Sequence, residues 1–206
     1  MRNNFLLFLL GILLGGEKAR SEGTNQTILE IPLRVHLLSA AEARSIQTTL
    51  GTNDVERILK KVNGVWSQAG VRFALESIVR EEASAQGGAG GPSGRWLLRL
   101  RPEGSMGGPR MHVYYVKELD VNGIHFAEAN FVKDTASLRR VPGGIDEPLP
   151  RVTSHELGHA LGLPHRQDTT NLMASGTTGT WLSPDEVARA RGVAEKLPWV
   201  RRVEGK

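Results

Sequence analysis

Three histidines and one glutamate lie close together in the last third of the chain. They occupy the segment His155–His165, which reads HELGHALGLPH. Positions four apart share one face of an α-helix, so His155 and His159 can present their imidazoles to a single metal ion. Glu156 is turned by about 100° from His155 around a helix. It would therefore lie beside the ion, where it can take a proton from water without being a ligand.

The residues after this helix indicate how a third histidine can reach the same ion. Gly162 can adopt the left-handed conformation that ends a helix, and Pro164 cannot continue one. The chain therefore turns and can return His165 as the third ligand. Three protein ligands leave the fourth tetrahedral position of a zinc ion open, which is typical of catalytic sites. The spacing predicts one catalytic zinc ion with Glu156 as general base.

The alternative is a helix whose polar face carries these side chains without holding a metal. With three histidines, a glutamate and a glycine fixed, chance occurrence at a given start is well below about one in a million. The string resembles the extended zinc-binding signature of the metzincin metallopeptidases, HExxHxxGxxH. Metzincins also carry a Met-turn, and Met173 lies in Asn171–Ser175, shortly after His165. The resemblance implies that Met173 packs beneath the metal and has no catalytic role.

Hydrophobic periodicity predicts the elements that position this segment. Strands are expected at 27–38, 71–79 and 111–116, with one or two more in 123–133. Helices are expected from Asn53 or Asp54 to Ala69, and from a Ser183 cap to about Lys196. Gly70 should stop the first helix, residues 85–94 form a Gly-rich loop, 96–100 is strand or helix, and 134–150 is a loop.

This order of elements is similar to the metzincin catalytic domain. The resemblance implies a mixed α/β (α+β) fold with a twisted mixed sheet and two long helices in an upper lobe. A small irregular lower lobe would follow the third histidine. One domain over residues 27–200 is expected, although only 155–165 and 171–175 carry specific motifs.

Some residues depart from the better-known metzincin subfamilies. Ser175 stands where astacins and serralysins have a zinc-binding tyrosine, so no such tyrosine is expected to assist. Arg166 follows the third histidine, where matrixins have serine and adamalysins aspartate. The Leu-Gly-Leu-Pro-His string and the start of the last helix at 182–185 lean towards matrixin-like members. The resemblance thus favours a small secreted protein of bacterial type.

The start of the chain predicts export. Residues 1–21 have a basic beginning, an apolar run of ten residues from Phe5 to Leu14, and a polar end. This layout is typical of a signal peptide, and the run is too short for an ordinary membrane span. An uncleaved N-terminal anchor is the alternative. The 206 residues suit one domain, and the absence of cysteine excludes disulfides.

Charge and the remaining histidines indicate few other sites. The net charge of +4 falls to about +2 without residues 1–21, and the remaining excess is scattered arginine, which favours a solvated surface over a nucleic-acid site. His36, His112 and His125 are expected to be packed or surface residues. No His-x-Asp pair is present for a second zinc, and nothing supports a Ca²⁺ site, although oxygen ligands leave little sequence trace. Trp181 has two interpretations: it lines a substrate pocket, or it anchors the last helix.

The predicted function is that of a secreted, monomeric zinc-dependent metalloendopeptidase. Its substrate would be an extended protein or peptide chain, held along a sheet edge in the 123–133 region by β-augmentation. Two alternatives stay open: a zinc-binding module without proteolytic activity, and a hydrolase of small amides or esters. The presence of Glu156 argues against the first, because a binding module needs no base beside the metal.

Overall fold

The computed structural model describes residues 27–41, 46–84 and 99–205. The predicted signal peptide and the Gly-rich segment 85–94 lie outside these ranges. Of the segment 96–100 only Arg99 and Leu100 are described, and both are helical. The elements are β1 (Thr27–Ser39), α1 (Thr52–Trp66) with a 3₁₀ turn (Ser67–Ala69), β2 (Val71–Glu82), β3 (Met111–Val116), β4 (Gly123–Phe126), β5 (Ala129–Lys133), α2 (Pro148–Ala160), α3 (Pro184–Ala194) and β6 (Arg201–Glu204).

The strands form one twisted mixed sheet, as predicted. Their order is β2-β1-β3-β5-β4, and β6 pairs with β1 off this path. The pairs β1–β2, β1–β3 and β3–β5 are parallel, whereas β4 runs antiparallel to β5 and β6 antiparallel to β1. β4 is therefore an edge strand. It is joined to β5 by a two-residue turn at Ala127 and Glu128, which both have positive φ.

Helix α1 forms because its apolar residues recur at intervals of three and four and all face the sheet. The Gly51 N–H donates to the Asp54 carboxylate at 3.0 Å, which satisfies one free donor at the helix start. Gly70 follows the 3₁₀ turn with φ of +57° and ends the segment as predicted. The buried positions are Val55, Ile58, Leu59, Val62, Val65 and Trp66.

Helix α2, which carries the histidine motif, starts earlier than the sequence indicated. The predicted 134–150 loop ends before Pro148, because prolines fit the first turn of a helix, where N–H groups have no partner within the helix. α2 lies beside α1 and packs against β4 and β5. The main hydrophobic core fills the space between these helices and one face of the sheet. A smaller core covers part of the other face.

Strand β6 was not predicted. Three of its four residues, in the run Arg201–Glu204, are charged, so it lacks the alternation that marks a strand in sequence. It forms because the N-terminal end of β1 offers unpaired backbone groups, and Thr27 pairs with Glu204. Within the described ranges, no helix has the length and apolar character needed to cross a membrane.

Candidate metal centre

The end of α2 brings the three motif histidines together. The helix ends at Ala160, and Gly162 follows with φ of +78°. The Leu163 N–H then donates back to the Gly158 carbonyl at 2.9 Å, so the chain reverses. This turn returns His165 to the side of the helix that carries the other two rings, as the spacing predicted.

The ring nitrogens of the three histidines converge on one point. His159 Nε2 lies 3.1 Å from His155 Nε2 and 3.1 Å from His165 Nε2. Ligand atoms held tetrahedrally about 2.05 Å from one zinc ion are roughly 3.3 Å apart. The spacing of the nitrogens therefore fits a single ion of that size.

The hydrogen bonds of the first two rings assign the tautomer of each neutral imidazole. Nδ1 of His155 lies 2.8 Å from the Leu172 carbonyl, and Nδ1 of His159 lies 2.8 Å from the Leu163 carbonyl. A carbonyl only accepts, so each Nδ1 is the protonated nitrogen and each Nε2 has a bare lone pair. Burial lowers the pKa of His155 to about 3 and also lowers that of His159. Two bare lone pairs at this distance repel each other, and a cation bound between them would remove that repulsion.

Glu156 lies at the same cleft, against the edge strand. A Cβ on Gly123 of β4 would lie only 2.7 Å from Glu156 Oε1, so the glycine permits this close approach. The His125 N–H donates to the carboxyl group. Burial raises the pKa of Glu156 to about 8, although this hydrogen bond and the charge of Arg151 oppose the rise. Positive charge at the three histidines would favour the ionised carboxylate.

The cleft has one wall from the sheet edge and one from the ligand helix. Residues 121–125 form the edge-strand side, and the turn from Gly162 to His165 forms the other side together with Ser175. His155, Glu156 and His159 line it between them. The arrangement holds an acid–base group and a cation site side by side in an open groove.

The segment after the third histidine packs tightly under α2. Met173 is fully buried, and a Cβ on Gly158 would lie 2.6 Å from its sulfur. The Asn171 side chain accepts from the Met173 N–H at 2.6 Å, which shapes the turn. Met173 thus lies against the helix one residue before His159, as expected for a packing residue of the site.

Sequence reasoning missed two buried charged residues that fasten this segment. Arg151 on α2 donates to the carbonyls of Gly179 at 2.6 Å, Ala174 at 2.5 Å and Asn171 at 3.4 Å. It lies four residues before His155, which places it on the same helix face, and this was the only available signal. Burial lowers the pKa of Arg151 to about 10, so it stays charged at neutral pH.

Glu186 is the second of these residues. Its side chain is 1 % exposed and accepts from Arg166 at 2.9 Å, Asn171 at 2.7 Å and the Ser183 N–H at 2.8 Å. It therefore connects the residue after the third histidine, the methionine turn and the start of α3. Its capping box with Ser183 could be read from the sequence, but its partners across the chain could not.

Trp181 lies outside the cleft. Its side chain is 49 % exposed and lines a separate groove with α3 residues such as Val187. Its backbone pairs with the methionine turn, because the Leu172 N–H donates to the Trp181 carbonyl at 2.7 Å. Leu182, which is buried, occupies the position immediately before the Ser183 cap that was considered for Trp181.

The other histidines divide between the two faces of the sheet. His36 and His112 are buried on the face away from α2, where they pack against Tyr114. His125 lines the cleft, and its Nδ1 lies 3.0 Å from Asn130 Oδ1. None of the three belongs to the cluster of converging nitrogens.

Comparisons with known proteins give likenesses in structure only. No family model matches the chain, and no curated protein matches it. Archaemetzincin from Methanopyrus kandleri is similar over 82 % of this chain and 93 % of its own, at 18 % identity and a TM-score of 0.47. A chain from a structure of a chaperone–substrate complex is 12 % identical with a TM-score of 0.49, over 82 % of this chain and 34 % of that one. The function proposed below rests on the site itself.

Proposed function

We propose that this protein is a zinc-dependent metalloendopeptidase that hydrolyses peptide bonds of extended polypeptides. The observation that carries the proposal is the convergence of the Nε2 atoms of His155, His159 and His165, in which His159 Nε2 lies 3.1 Å from each of the other two. Three imidazoles with nitrogens at tetrahedral spacing are a common set of ligands for catalytic zinc. His155, His159 and His165 would hold the ion.

A zinc ion bound there supplies a Lewis acid that polarises the scissile carbonyl and lowers the pKa of water. The Glu156 carboxylate takes a proton from the attacking water and later delivers that proton to the leaving amine. The carbonyls of Leu172 and Leu163 hold the histidine rings in the tautomer that presents Nε2. The buried, hydrogen-bonded position of Glu156 keeps its carboxylate directed at the cleft.

An extended chain is the substrate that suits this cleft. In the β4–β5 hairpin, His125 and Asn130 face each other as a pair that exchanges no backbone hydrogen bond, since the two-residue turn makes the Phe126–Ala129 pair the bonded one. The backbone groups of His125 and Gly123 therefore point away from β5, and of these the His125 N–H is taken by Glu156, which leaves the His125 carbonyl and the Gly123 backbone for a further strand. A polypeptide can add to this edge by β-augmentation, which favours an endopeptidase over a hydrolase of small amides.

The proposal extends to location and assembly. The basic and apolar start of the sequence, residues 1–21, supports export by a signal peptide. The protein would then act outside the cytoplasm as a monomer on protein substrates. The composition supports no nucleic-acid partner, and the order of motifs supports a small matrixin-like member of the metzincins.

Digestion of β-casein tests this function directly. The zinc-loaded protein should cut casein, 1,10-phenanthroline should stop the reaction, and added zinc should restore it. Glu156→Gln is the matched control, because its amide oxygen still accepts from the His125 N–H but cannot take a proton. The expected loss of activity is roughly 10²–10⁴-fold at unchanged zinc content. Chelator-insensitive cleavage, or full activity in Glu156→Gln, would refute the proposal.

A further inference from the structure

His125 occupies the cleft without belonging to the cluster of three histidines. It lies on β4, opposite Asn130 on β5, and its side chain stands on the sheet face that meets α2. Gly123, two residues earlier on the same face, touches Glu156. The backbone N–H of His125 donates to the Glu156 carboxyl group. The backbone of His125 is therefore hydrogen-bonded to the candidate general base, and the His125 ring lies beside Glu156 in the cleft.

The ring of His125 is held in one orientation by a buried chain of hydrogen bonds. Asn130 is fully buried, and its Nδ2 donates to the His112 carbonyl at 2.9 Å. The amide is thereby oriented with its oxygen towards His125, whose Nδ1 lies 3.0 Å away. An amide oxygen only accepts, so His125 Nδ1 carries the proton. In the neutral ring, Nε2 is left as a hydrogen-bond acceptor.

This acceptor is open to the cleft. Within the described ranges, Nε2 of His125 makes no hydrogen bond with the protein and is not among the buried polar atoms that lack a partner. A ring that served only to pack the hairpin would need no buried, fully oriented amide behind it. An anchored ring with one free acceptor at a substrate groove is the arrangement of a preorganised binding group.

We propose that His125 contacts the polypeptide substrate, and that its Nε2 accepts a hydrogen bond from an N–H or O–H group of the bound chain. The inference rests on the proposed function for the nature of the ligand, an extended polypeptide, and adds a residue that selects and positions it. His125 works from the sheet-edge side of the cleft, across from the turn that carries His165. The Asn130 amide is the positioning group that keeps Nε2 aimed at the substrate.

Two variants separate the two nitrogens of the ring. Gln at position 125 places an amide oxygen near the position of Nε2, so His125→Gln keeps the acceptor. Asn is shorter and reaches only the position of Nδ1, so His125→Asn keeps the bond to Asn130 and loses the contact with substrate. Both are made in the Glu156→Gln background, in which the zinc-loaded protein can bind β-casein without cutting it. Binding is measured by biolayer interferometry, with zinc content and melting temperature recorded for each variant.

His125→Asn is expected to weaken casein binding roughly tenfold, the loss that one ordinary hydrogen bond predicts, while His125→Gln stays within about threefold of the parent. Zinc content should not change in either variant. In the active enzyme the same order should appear in kcat/KM. Equal binding in all three proteins would overturn the inference. So would equal losses in Asn and Gln that follow a fall in melting temperature, since the ring would then be structural.

The outcomes also distinguish this inference from the proposed function. Casein binding that depends on Nε2, in a protein that never cuts casein, would refute the peptidase and keep the contact. Chelator-sensitive cleavage that is indifferent to His125→Asn would keep the peptidase and refute the contact. Absence of casein binding by the Glu156→Gln parent counts against the inference.

Discussion

The two faces of the sheet each hold a group of histidines, and the groups are built in opposite ways. On the face covered by α2, the Nε2 atoms of His155 and His159 lie 3.1 Å apart, while Nδ1 of each ring faces a backbone carbonyl. On the other face, His36 Nδ1 lies 2.5 Å from Glu81, and His36 Nε2 lies 2.9 Å from His112 Nδ1. There each contact pairs one donor with one acceptor, and His112 Nε2, at the end of this chain of side chains, is buried without a partner.

The candidate metal centre differs from the packed histidines in the contacts that its ring nitrogens make. Burial lowers the pKa of His36 to about 3 and that of His112 to about 4, much as it lowers that of His155. A lowered pKa is therefore common to both groups and does not identify the functional one. What differs is the partner of Nε2: the Nε2 atoms of His155 and His159 face each other, whereas His36 Nε2 faces Nδ1 of His112, which can donate to it.

The largest effect should come from breaking the converging group. His159→Ala removes the central nitrogen, so we expect loss of most bound zinc by elemental analysis and a fall in casein cleavage of about a thousandfold or more. His36→Gln is the matched control from the other face and should keep a full zinc content. Stoichiometric zinc in His159→Ala would mean that the two groups do not differ as described.

The second largest effect is expected from removing the buried charge of Arg151, which holds the segment after the third histidine against α2. Arg151→Met removes three hydrogen bonds, two to carbonyls of the methionine turn (Asn171 and Ala174) and one to the Gly179 carbonyl. The free energy of unfolding should fall by about 3 kcal/mol or more, as hydrogen bonds from a charged group are among the stronger ones. Chemical denaturation of metal-free and zinc-loaded protein measures this. A change below about 1 kcal/mol would show that the turn holds without Arg151.

The buried pair His36 and His112 should make the free energy of unfolding depend on pH. The folded pKa values of His36 and His112 lie below the ordinary value of 6.5, so their contribution is complete above pH 6.5 and is lost as the pH falls towards 4. At pH 5.5 each histidine that stays neutral in the fold costs about 1.4 kcal/mol of unfolding free energy. His36→Gln should reduce the drop between pH 7.5 and 5.5. An identical drop in variant and parent would place the titration elsewhere.

The smallest effect concerns the turn that presents His125. Ala127 and Glu128 have φ of +45° and +66°, values that glycine and asparagine adopt more easily. Ala127→Asn with Glu128→Gly should stabilise the protein by about 1 kcal/mol, measured as a higher denaturation midpoint. Unlike the effects expected at the two groups of histidines, this gain in stability should depend neither on zinc nor on pH. A loss of stability would show that the present turn residues make contacts that outweigh the backbone strain.

The histidine cluster could be predicted because its residues are close in sequence. Contacts between residues far apart in the chain could not be predicted. His155, Glu156 and His159 lie within two helical turns, and Gly162 sets the reversal that returns His165, so a few neighbouring residues decide their geometry. Individual strands and the first and last helices followed from periodicity in the same way, whereas the mixed sheet was an expectation from the resemblance in element order. Arg151 and Glu186 were missed because their partners lie 15 to 28 residues away in irregular segments. His125 was assigned to packing because its open nitrogen depends on the orientation of Asn130.

β6 was hidden for the same reason, and its pairing has a consequence for a protein proposed to cut chains. Thr27 and Glu204 face each other across an antiparallel ladder, so the first described residues and the last strand are hydrogen-bonded to each other in the sheet. A peptidase acts on a strand that it can draw out alone, and neither end can be drawn out without breaking the other. The paired segments of β1 and β6 are thereby withheld from the cleft. Self-digestion, when it occurs, should spare these two strands and leave them attached to each other.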